Sequence, residues 1–203
     1  MSLSEFFHHV EETVVATDLV TWIATVTAVL YVLLALRENV WCWSFGIVSS
    51  ALSIAVYYKE DLRYEAVLNF LYVVLGVYGW VMWKRASGRQ EERKITTITL
   101  RYFLILVLIS GASGVILGMI SHYYTQSSFA YADALITSFS IVATWMTAKK
   151  FVENWIFWVA IDGFAAVVYF FKGPSLYLFA LLFIFYTFIA AAGYFAWKKK
   201  LVR

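Results

Sequence analysis

Long apolar segments separated by short polar clusters dominate this sequence. Seven of them approach the length of about 20 residues that a helix needs to cross a bilayer. Most are apolar on all sides, and a helix satisfies its own backbone polar groups in lipid. The pattern therefore predicts an all-α membrane protein with seven transmembrane helices. The predicted spans are Leu19–Leu36, Val40–Tyr58, Tyr64–Trp83, Leu100–Ser121, Phe129–Ala148, Asn154–Phe171 and Ser175–Trp197.

Composition agrees with this pattern. Of the 203 residues, 63% are hydrophobic and 14% are charged, whereas about 25% are charged in soluble domains. Seven crossings use nearly the whole chain, so no soluble domain is expected. The first eighteen residues carry three glutamates and no lysine or arginine, unlike a signal peptide, so the first helix is expected to be retained. Cys42 is the only cysteine and is predicted to be a buried packing thiol.

The basic residues predict the orientation. Seven crossings put the termini on opposite sides, and thirteen of the sixteen lysines and arginines fall on the side of the carboxyl terminus. The positive-inside rule then places the amino terminus outside and the carboxyl terminus in the cytoplasm. The segments outside the spans are predicted to be an extracytoplasmic segment 1–18, a basic cytoplasmic linker 84–99 and a cytoplasmic tail 198–203.

The two halves of the chain resemble each other, so that helices one to three match helices five to seven. Because one span separates the two triplets, the repeats are parallel, and a 3+1+3 fold is predicted with repeats 19–83 and 129–197 joined by a linker helix 100–121. Transporters use such repeats and bind substrate near the membrane midplane; duplication for stability alone is the alternative. A shift of 115 residues aligns Asp18 with Asp133, Glu38 with Glu153, Asn39 with Asn154 and Trp43 with Trp158.

Polar side chains inside the spans are candidates for a substrate site because they are costly in lipid. Asp162 shares a helical stripe with Trp158 and Tyr169, and an acid among aromatic rings suits a cationic ring through charge attraction and cation–π contact. A hydrogen bond from Asp162 to a neighbouring helix is the alternative, and the polar stripe of the fifth span has the same alternative. The predicted substrate-binding residues are Asn69, Tyr72, Thr137, Ser140, Trp145, Trp158, Asp162 and Tyr169.

Searches for catalytic motifs argue against an enzyme. The sequence has no Walker A motif, HExxH, CxxC or GxSxG, and the histidines His8, His9 and His122 lie outside the predicted spans. We therefore expect no cofactor, no metal and no nucleic-acid partner. A membrane enzyme built on carboxylates and a non-transporting receptor or scaffold are the alternatives from other classes, the latter disfavoured by the short loops.

Four ordered motifs spread over about residues 18 to 198 identify a family. Together they resemble the PnuC-type vitamin transporters, which implies a 3+1+3 fold related to that of the SWEET sugar transporters. The motifs are Glu153-Asn154-Trp155-x-x-Trp158-x-x-x-Asp162, Tyr169-x-x-Lys172-Gly173, Tyr131-x-Asp133 and Tyr78-Gly79-Trp80-x-x-Trp83.

The resemblance implies uptake of nicotinamide riboside by facilitated diffusion across a bacterial plasma membrane. A cytoplasmic vitamin kinase would be a functional partner, because it phosphorylates the imported vitamin and keeps the gradient inward; a homo-oligomer is left open. The family pattern has Asp and Gln in the third span where this chain has Glu65 and Asn69. Thiamine, also an aromatic cation, is therefore the alternative substrate, and a neutral sugar is a third.

Overall fold

The chain forms a bundle of helices in a computed structural model, which describes residues 3–59, 63–88 and 94–201. Within these residues no β-sheet forms, and the only strand-like pairing is a bridge between Thr96 and Phe151. A short 3-10 helix, Pro174–Leu176, precedes the last helix. The α-helices of the described residues are α1 (Leu3–Ala16), α2 (Leu19–Leu36), α3 (Cys42–Lys59), α4 (Arg63–Gly88), α5 (Leu100–Thr125), α6 (Ala130–Ala148), α7 (Asn154–Lys172) and α8 (Tyr177–Leu201).

The helices α2, α4, α5, α7 and α8 are long and apolar enough to cross a membrane, and α3 is a shorter apolar helix. The prediction of a multi-pass α-helical membrane protein is confirmed. Helix α6 is less apolar because it carries Asp133 and several serines and threonines. Its buried residues Ser138, Ser140, Thr144 and Thr147 face protein, where polar side chains are tolerated more readily than in lipid.

Helix α1 was not predicted. The first eighteen residues were expected only as an extracytoplasmic segment, but residues 3–16 form a helix that packs against α8 and the 3-10 helix. The ring of Phe6 stacks on that of Tyr177, with the ring centroids 5.0 Å apart. A search for membrane spans overlooks α1 because its glutamates and histidines interrupt the apolar positions that make this contact.

The predicted linker 84–99 is only partly a linker. Helix α4 continues to Gly88, residues 89–93 lie outside the described residues, and residues 94–99 dock onto the turn between α6 and α7. There Thr96 accepts a hydrogen bond from the backbone of Val152, and the backbone of Ile98 donates one to Glu153. Part of the predicted tail 198–203 is also helical, because α8 extends to Leu201, while residues 202–203 lie outside the described residues.

Packing between helices divides the bundle into two groups. Helix α3 packs between α2 and α4, and α7 packs between α6 and α8. The first group is therefore α2, α3 and α4, and the second group is α6, α7 and α8. They contact each other where α2 meets α8 and where α4 meets α6. Helix α5 packs on α6, with Ser110, Gly114 and Gly118 buried in the contact. The Cβ that a side chain at Gly114 would add lies 2.7 Å from a methyl group of Leu135, so only glycine allows this approach.

Two tryptophans link the groups in matching ways. The indole N–H of Trp83 donates to the carbonyl of Ala148 at the end of α6, over 3.2 Å. Likewise, the indole N–H of Trp197 donates to the carbonyl of Leu36 at the end of α2, over 3.1 Å. Each group therefore caps the end of the other group's first helix. The equivalent carbonyls are those of residues 36 and 148, which are 112 positions apart.

These contacts correct the predicted register of the repeat. At a shift of 112, the counterpart of Glu38 is Lys150 instead of Glu153, and the counterpart of Trp43 is Trp155 instead of Trp158. The two turns share their backbone conformation, with φ of 57° at Glu38 and 56° at Lys150. The shifts of 115 and 112 differ by three residues, which is close to one helical turn. Residues aligned at a shift of 115 therefore still lie on similar helix faces, which made that shift misleading.

Candidate functional site

A cavity of about 480 Å³ lies between the two helix groups, which is within the range of small-molecule sites. Helices α2, α3, α4, α6, α7 and α8 all contribute to its wall. Along α2 it runs from Thr21 to Ala35, which is about 20 Å at the rise of an α-helix. Six of the eight predicted site residues line it, namely Asn69, Tyr72, Ser140, Trp158, Asp162 and Tyr169.

The other two predicted residues, Thr137 and Trp145, are not part of the cavity wall. The face of α6 that lines the cavity contains Ile136, Ser140, Thr144 and Thr147, which recur at helical spacing. Thr137 and Trp145 each follow a lining residue directly and so point about 100° away from it. The ring of Trp145 packs instead against Phe151, with the centroids 5.9 Å apart.

Asp162 lies near the middle of α7 and is only 6% exposed. Among the residues that the structure describes, no lysine, arginine or histidine forms a salt bridge with it. It lies within electrostatic range of the phenols of Tyr72 and Tyr186. A buried carboxylate without a charged partner is costly, so a cationic ligand would be stabilised here.

Phenolic hydroxyls add hydrogen-bonding capacity to the cavity wall. The side chains of Tyr72 on α4 and Ser140 on α6 lie near each other in this wall. The buried hydroxyls of Tyr31 and Tyr186 have no hydrogen-bond partner in the described part of the chain. Both residues line the cavity. A hydroxyl can donate and accept, so these groups are able to bind the hydroxyls or amide of a polar ligand.

A buried network orients Trp158. Its indole N–H donates to the hydroxyl of Thr147 over 3.4 Å, and that hydroxyl lies 3.0 Å from the side-chain oxygen of Asn154. Asn154 is fully buried, and its amide group donates to the backbone carbonyl of Phe151. The network runs from a helix turn to an aromatic ring of the cavity wall and fixes the plane of that ring.

Replacing Thr147 with valine tests this positioning role. The shapes of the two side chains match, but valine leaves the indole N–H of Trp158 and the oxygen of Asn154 without their partner. We expect binding of a ligand in the cavity to weaken by about 1 kcal/mol, the typical worth of one hydrogen bond. Isothermal titration of the purified variant measures this. Thr187→Val on α8, which loses only a bond to its own helix, is the control and should bind like the unmodified chain.

The second group contains an ion pair between the start of α6 and the end of α7. Lys172 donates to both carboxylate oxygens of Asp133, over 2.6 and 2.7 Å. Its ammonium group also lies 5.0 Å from the centre of the Tyr169 ring. Asp133 therefore joins α6 to α7 and is not a cavity residue. Tyr169 lines the cavity while one cation of the chain already lies near its ring.

Several lining residues were missed by the sequence-based prediction. On α3 the small and polar positions recur at helical spacing, and this stripe is a signal that could have identified that wall. Tyr31 and Tyr186 carried no comparable signal, because each lies in an apolar run typical of a lipid-facing helix. The missed polar residues of the wall include Tyr31, Ser49, Ser50, Ser53, Tyr57, Thr147 and Tyr186.

One group of residues could hold a metal ion, although no metal was predicted. The potential ligand atoms of His8, His9 and Glu12 on α1 lie within 4.8 Å of one another. His8 and Glu12 are exposed, and none of the three residues belongs to the cavity wall. Among the described residues, the cavity wall contains one carboxylate and no histidine or cysteine, a poor donor set for a transition metal.

Comparisons with known proteins give a consistent result. A family model described as nicotinamide mononucleotide transporter matches residues 18–199. The nicotinamide riboside transporter PnuC of Escherichia coli is 25% identical over 86% of this chain and 83% of its own length. The riboflavin/roseoflavin transporter RibM of Streptomyces davaonensis is 24% identical over 78% of this chain and 74% of its own. A crystal structure of the vitamin B3 transporter PnuC aligns with a TM-score of 0.73 at 22% identity, covering 100% of this chain and 94% of the other.

Proposed function

The chain belongs to the nicotinamide mononucleotide transporter family, the PnuC-type vitamin transporters, and from this premise we propose that it carries nicotinamide riboside across a bacterial plasma membrane. The observation that carries the proposal is Asp162, a buried acid without a charged partner in the described residues, in the wall of a cavity between two helix groups. Nicotinamide riboside has a fixed positive charge on an aromatic ring. The carboxylate and the ring of Trp158 would both stabilise that charge.

The proposed arrangement is two parallel three-helix repeats joined by α5. Exchanging the repeats turns the contact of α2 with α8 into that of α6 with α4, and both contacts are present. This exchange supports an approximate two-fold axis through the cavity. Parallel repeats about an axis along the membrane normal allow transport by rocking of one repeat against the other, with the site near the midplane.

The proposed orientation puts the ends of α2, α4, α6 and α8 in the cytoplasm. We call this the corner end of the bundle, because the turns from α2 to α3 and from α6 to α7 lie there. Basic residues collect at it, which supports a cytoplasmic location by the positive-inside rule. Those described here are Arg37, Lys84, Lys94, Arg101, Lys149, Lys150, Lys198, Lys199 and Lys200.

Transport is proposed to be facilitated diffusion. The chain performs no chemical step, and a cytoplasmic kinase keeps the gradient inward by phosphorylating the imported vitamin. Proteoliposomes test this without an ion gradient. Labelled nicotinamide riboside should equilibrate across the membrane, and it should accumulate only when a riboside kinase and ATP are enclosed. Accumulation that requires a sodium or proton gradient and no kinase would contradict the proposal.

Thiamine is the alternative substrate, because its cationic ring suits the same carboxylate and aromatic wall. Riboflavin also has to be tested, because a relative carries it. In the same proteoliposomes, unlabelled thiamine and riboflavin are added as competitors of labelled nicotinamide riboside. We expect riboflavin, which has no fixed positive charge, to compete weakly. Saturable uptake of thiamine with none of nicotinamide riboside would reassign the substrate and leave the transport mechanism in place.

A further inference from the structure

An ion pair joins the two helix groups at the corner end. Glu38 follows α2 and Lys150 follows α6, at equivalent left-handed positions of the two turns. The ammonium group of Lys150 lies 2.8 Å from one carboxylate oxygen of Glu38, and that of Lys200 lies 2.5 Å from the other. Glu38 and Lys150 are largely buried, with 17% and 12% of their side chains exposed. The carboxylate of Glu38, in the turn after α2, therefore binds both the turn after α6 and the end of α8.

Aromatic packing lies directly beside this ion pair. The ammonium group of Lys150 is 4.8 Å from the centre of the Trp83 ring, and the indoles of Trp83 and Trp197 each donate a hydrogen bond to the other group. Trp83 meets Trp43 edge to face, with the centroids 5.5 Å apart, and Trp197 meets Trp155 likewise at 5.4 Å. These four tryptophans are between 0% and 5% exposed. With other buried residues of the same cluster, they form a hydrophobic layer at the corner end.

The layer is also the floor of the cavity. Trp43 and Trp155 line the cavity from below, and their indole N–H groups have no partner in the described residues. Trp83 and Trp197 lie on the far side of them and line no part of the cavity. A ligand that leaves through the corner end must therefore pass between the two groups where the layer and the ion pair hold them together.

We propose that Glu38, with Lys150 and Lys200, is the latch of a cytoplasmic seal, and that the four tryptophans are the seal itself. The latch is reversible because the side chain of Lys200 is 51% exposed, so water can replace its contact with Glu38 when the groups separate. Burial raises the pKa of Glu38, but the hydrogen bonds from Lys150 and then Lys200 outweigh it and lower the pKa below its usual range. The carboxylate is therefore charged at neutral pH.

The chain contains its own reporter for this seal. Cys42 is the only cysteine of the sequence, is fully buried, and belongs to the same cluster as the four tryptophans. A maleimide reaches its thiol only when the layer opens. The rate of alkylation of Cys42 therefore measures opening and needs no substrate. Although the inference rests on the proposed transport function, failure to bind a given vitamin does not change this rate.

The test compares Glu38→Gln with the unmodified chain in membrane vesicles of both orientations, using a membrane-impermeant maleimide. Glutamine keeps the shape but leaves Lys150 and Lys200 facing each other without their carboxylate. We expect Cys42 to be labelled about tenfold faster in the variant, from the cytoplasmic side only. Glu11→Gln, at an exposed position of α1, is the matched control and should be labelled at the rate of the unmodified chain.

Two further variants separate a latch from general destabilisation. The charge swap Glu38→Lys with Lys150→Glu and Lys200→Glu restores both ion pairs with their signs reversed and should return labelling close to the original rate. Lys200→Gln removes only the more exposed lysine, which keeps the fold, and should raise the rate by a smaller factor. Labelling that is unchanged in both Glu38→Gln and Lys200→Gln would overturn the proposal. The proposal would also be overturned if Cys42 were labelled equally fast in Glu11→Gln and Glu38→Gln, or if the charge swap left labelling as fast as in Glu38→Gln.

Discussion

Asp162→Asn is expected to weaken the binding of nicotinamide riboside by about tenfold to a hundredfold while the protein stays folded. Asparagine fills the same space, so packing in α7 is preserved, but the negative charge that faces the cationic ring is lost. Interactions with a charged group are worth about 1.5–3 kcal/mol, and 1.4 kcal/mol corresponds to a factor of ten in affinity. Isothermal titration of the purified variant gives the affinity, and its melting temperature in detergent reports on the fold.

Asp133→Asn is the matched control, because Asp133 is another acid of the spans but pairs with Lys172 and does not line the cavity. Its replacement should change the melting temperature more than the affinity. An unchanged affinity in a folded Asp162→Asn protein would remove Asp162 from the binding site. A variant that cannot be purified in folded form would support a purely structural role for the acid.

Gly114→Leu is expected to lower stability strongly, because it separates α5 from α6. Its Cβ would lie 2.7 Å from a side-chain methyl group of Leu135 and 3.1 Å from that residue's backbone Cα. The side chain could rotate, but the backbone cannot move without the whole helix. Overpacking of this kind costs about 1–3 kcal/mol and sometimes more. Thermal unfolding in detergent measures the loss as a lower melting temperature.

Gly111→Leu provides the comparison on the same helix. Nothing lies within 4 Å of the Cβ that would be added at Gly111. Leucine there should be neutral or slightly stabilising, because glycine is the poorer helix former. Equal melting temperatures for the two variants would show that α5 does not depend on its close contact with α6.

The helices could be predicted largely from the sequence, since hydrophobic length alone defines them. Helix α2 begins and ends at the predicted residues, and α6 and α7 differ from their predicted bounds by a single residue at one end. Helix α1 could not be found this way, because its stability comes from packing Phe6 on Tyr177, a contact between positions far apart in the sequence. The docking of residues 94–99 onto the turn before α7 could not be predicted either, because it also joins positions far apart in the sequence.

The wall of the cavity could be predicted best where polar and aromatic residues share one face of a single helix. Asp162, Trp158 and Tyr169 were found because they share one face of α7, and all three line the cavity. Trp145 was predicted to bind substrate but does not line the cavity, because the sequence of one helix does not reveal which of its faces meets the other group. The register of the repeat failed similarly, since the matching contacts of Trp83 and Trp197 lie between the groups and leave no pattern in either half alone.

Calorimetric titration of the purified chain with nicotinamide riboside, thiamine and a neutral sugar tests most directly whether the cavity is a site for a cationic vitamin. We predict saturable, one-to-one binding of nicotinamide riboside that the neutral sugar does not displace, and an affinity about tenfold to a hundredfold weaker in Asp162→Asn. Binding of the neutral sugar together with no binding of either cation, in protein that melts cooperatively, would contradict a cation site at Asp162.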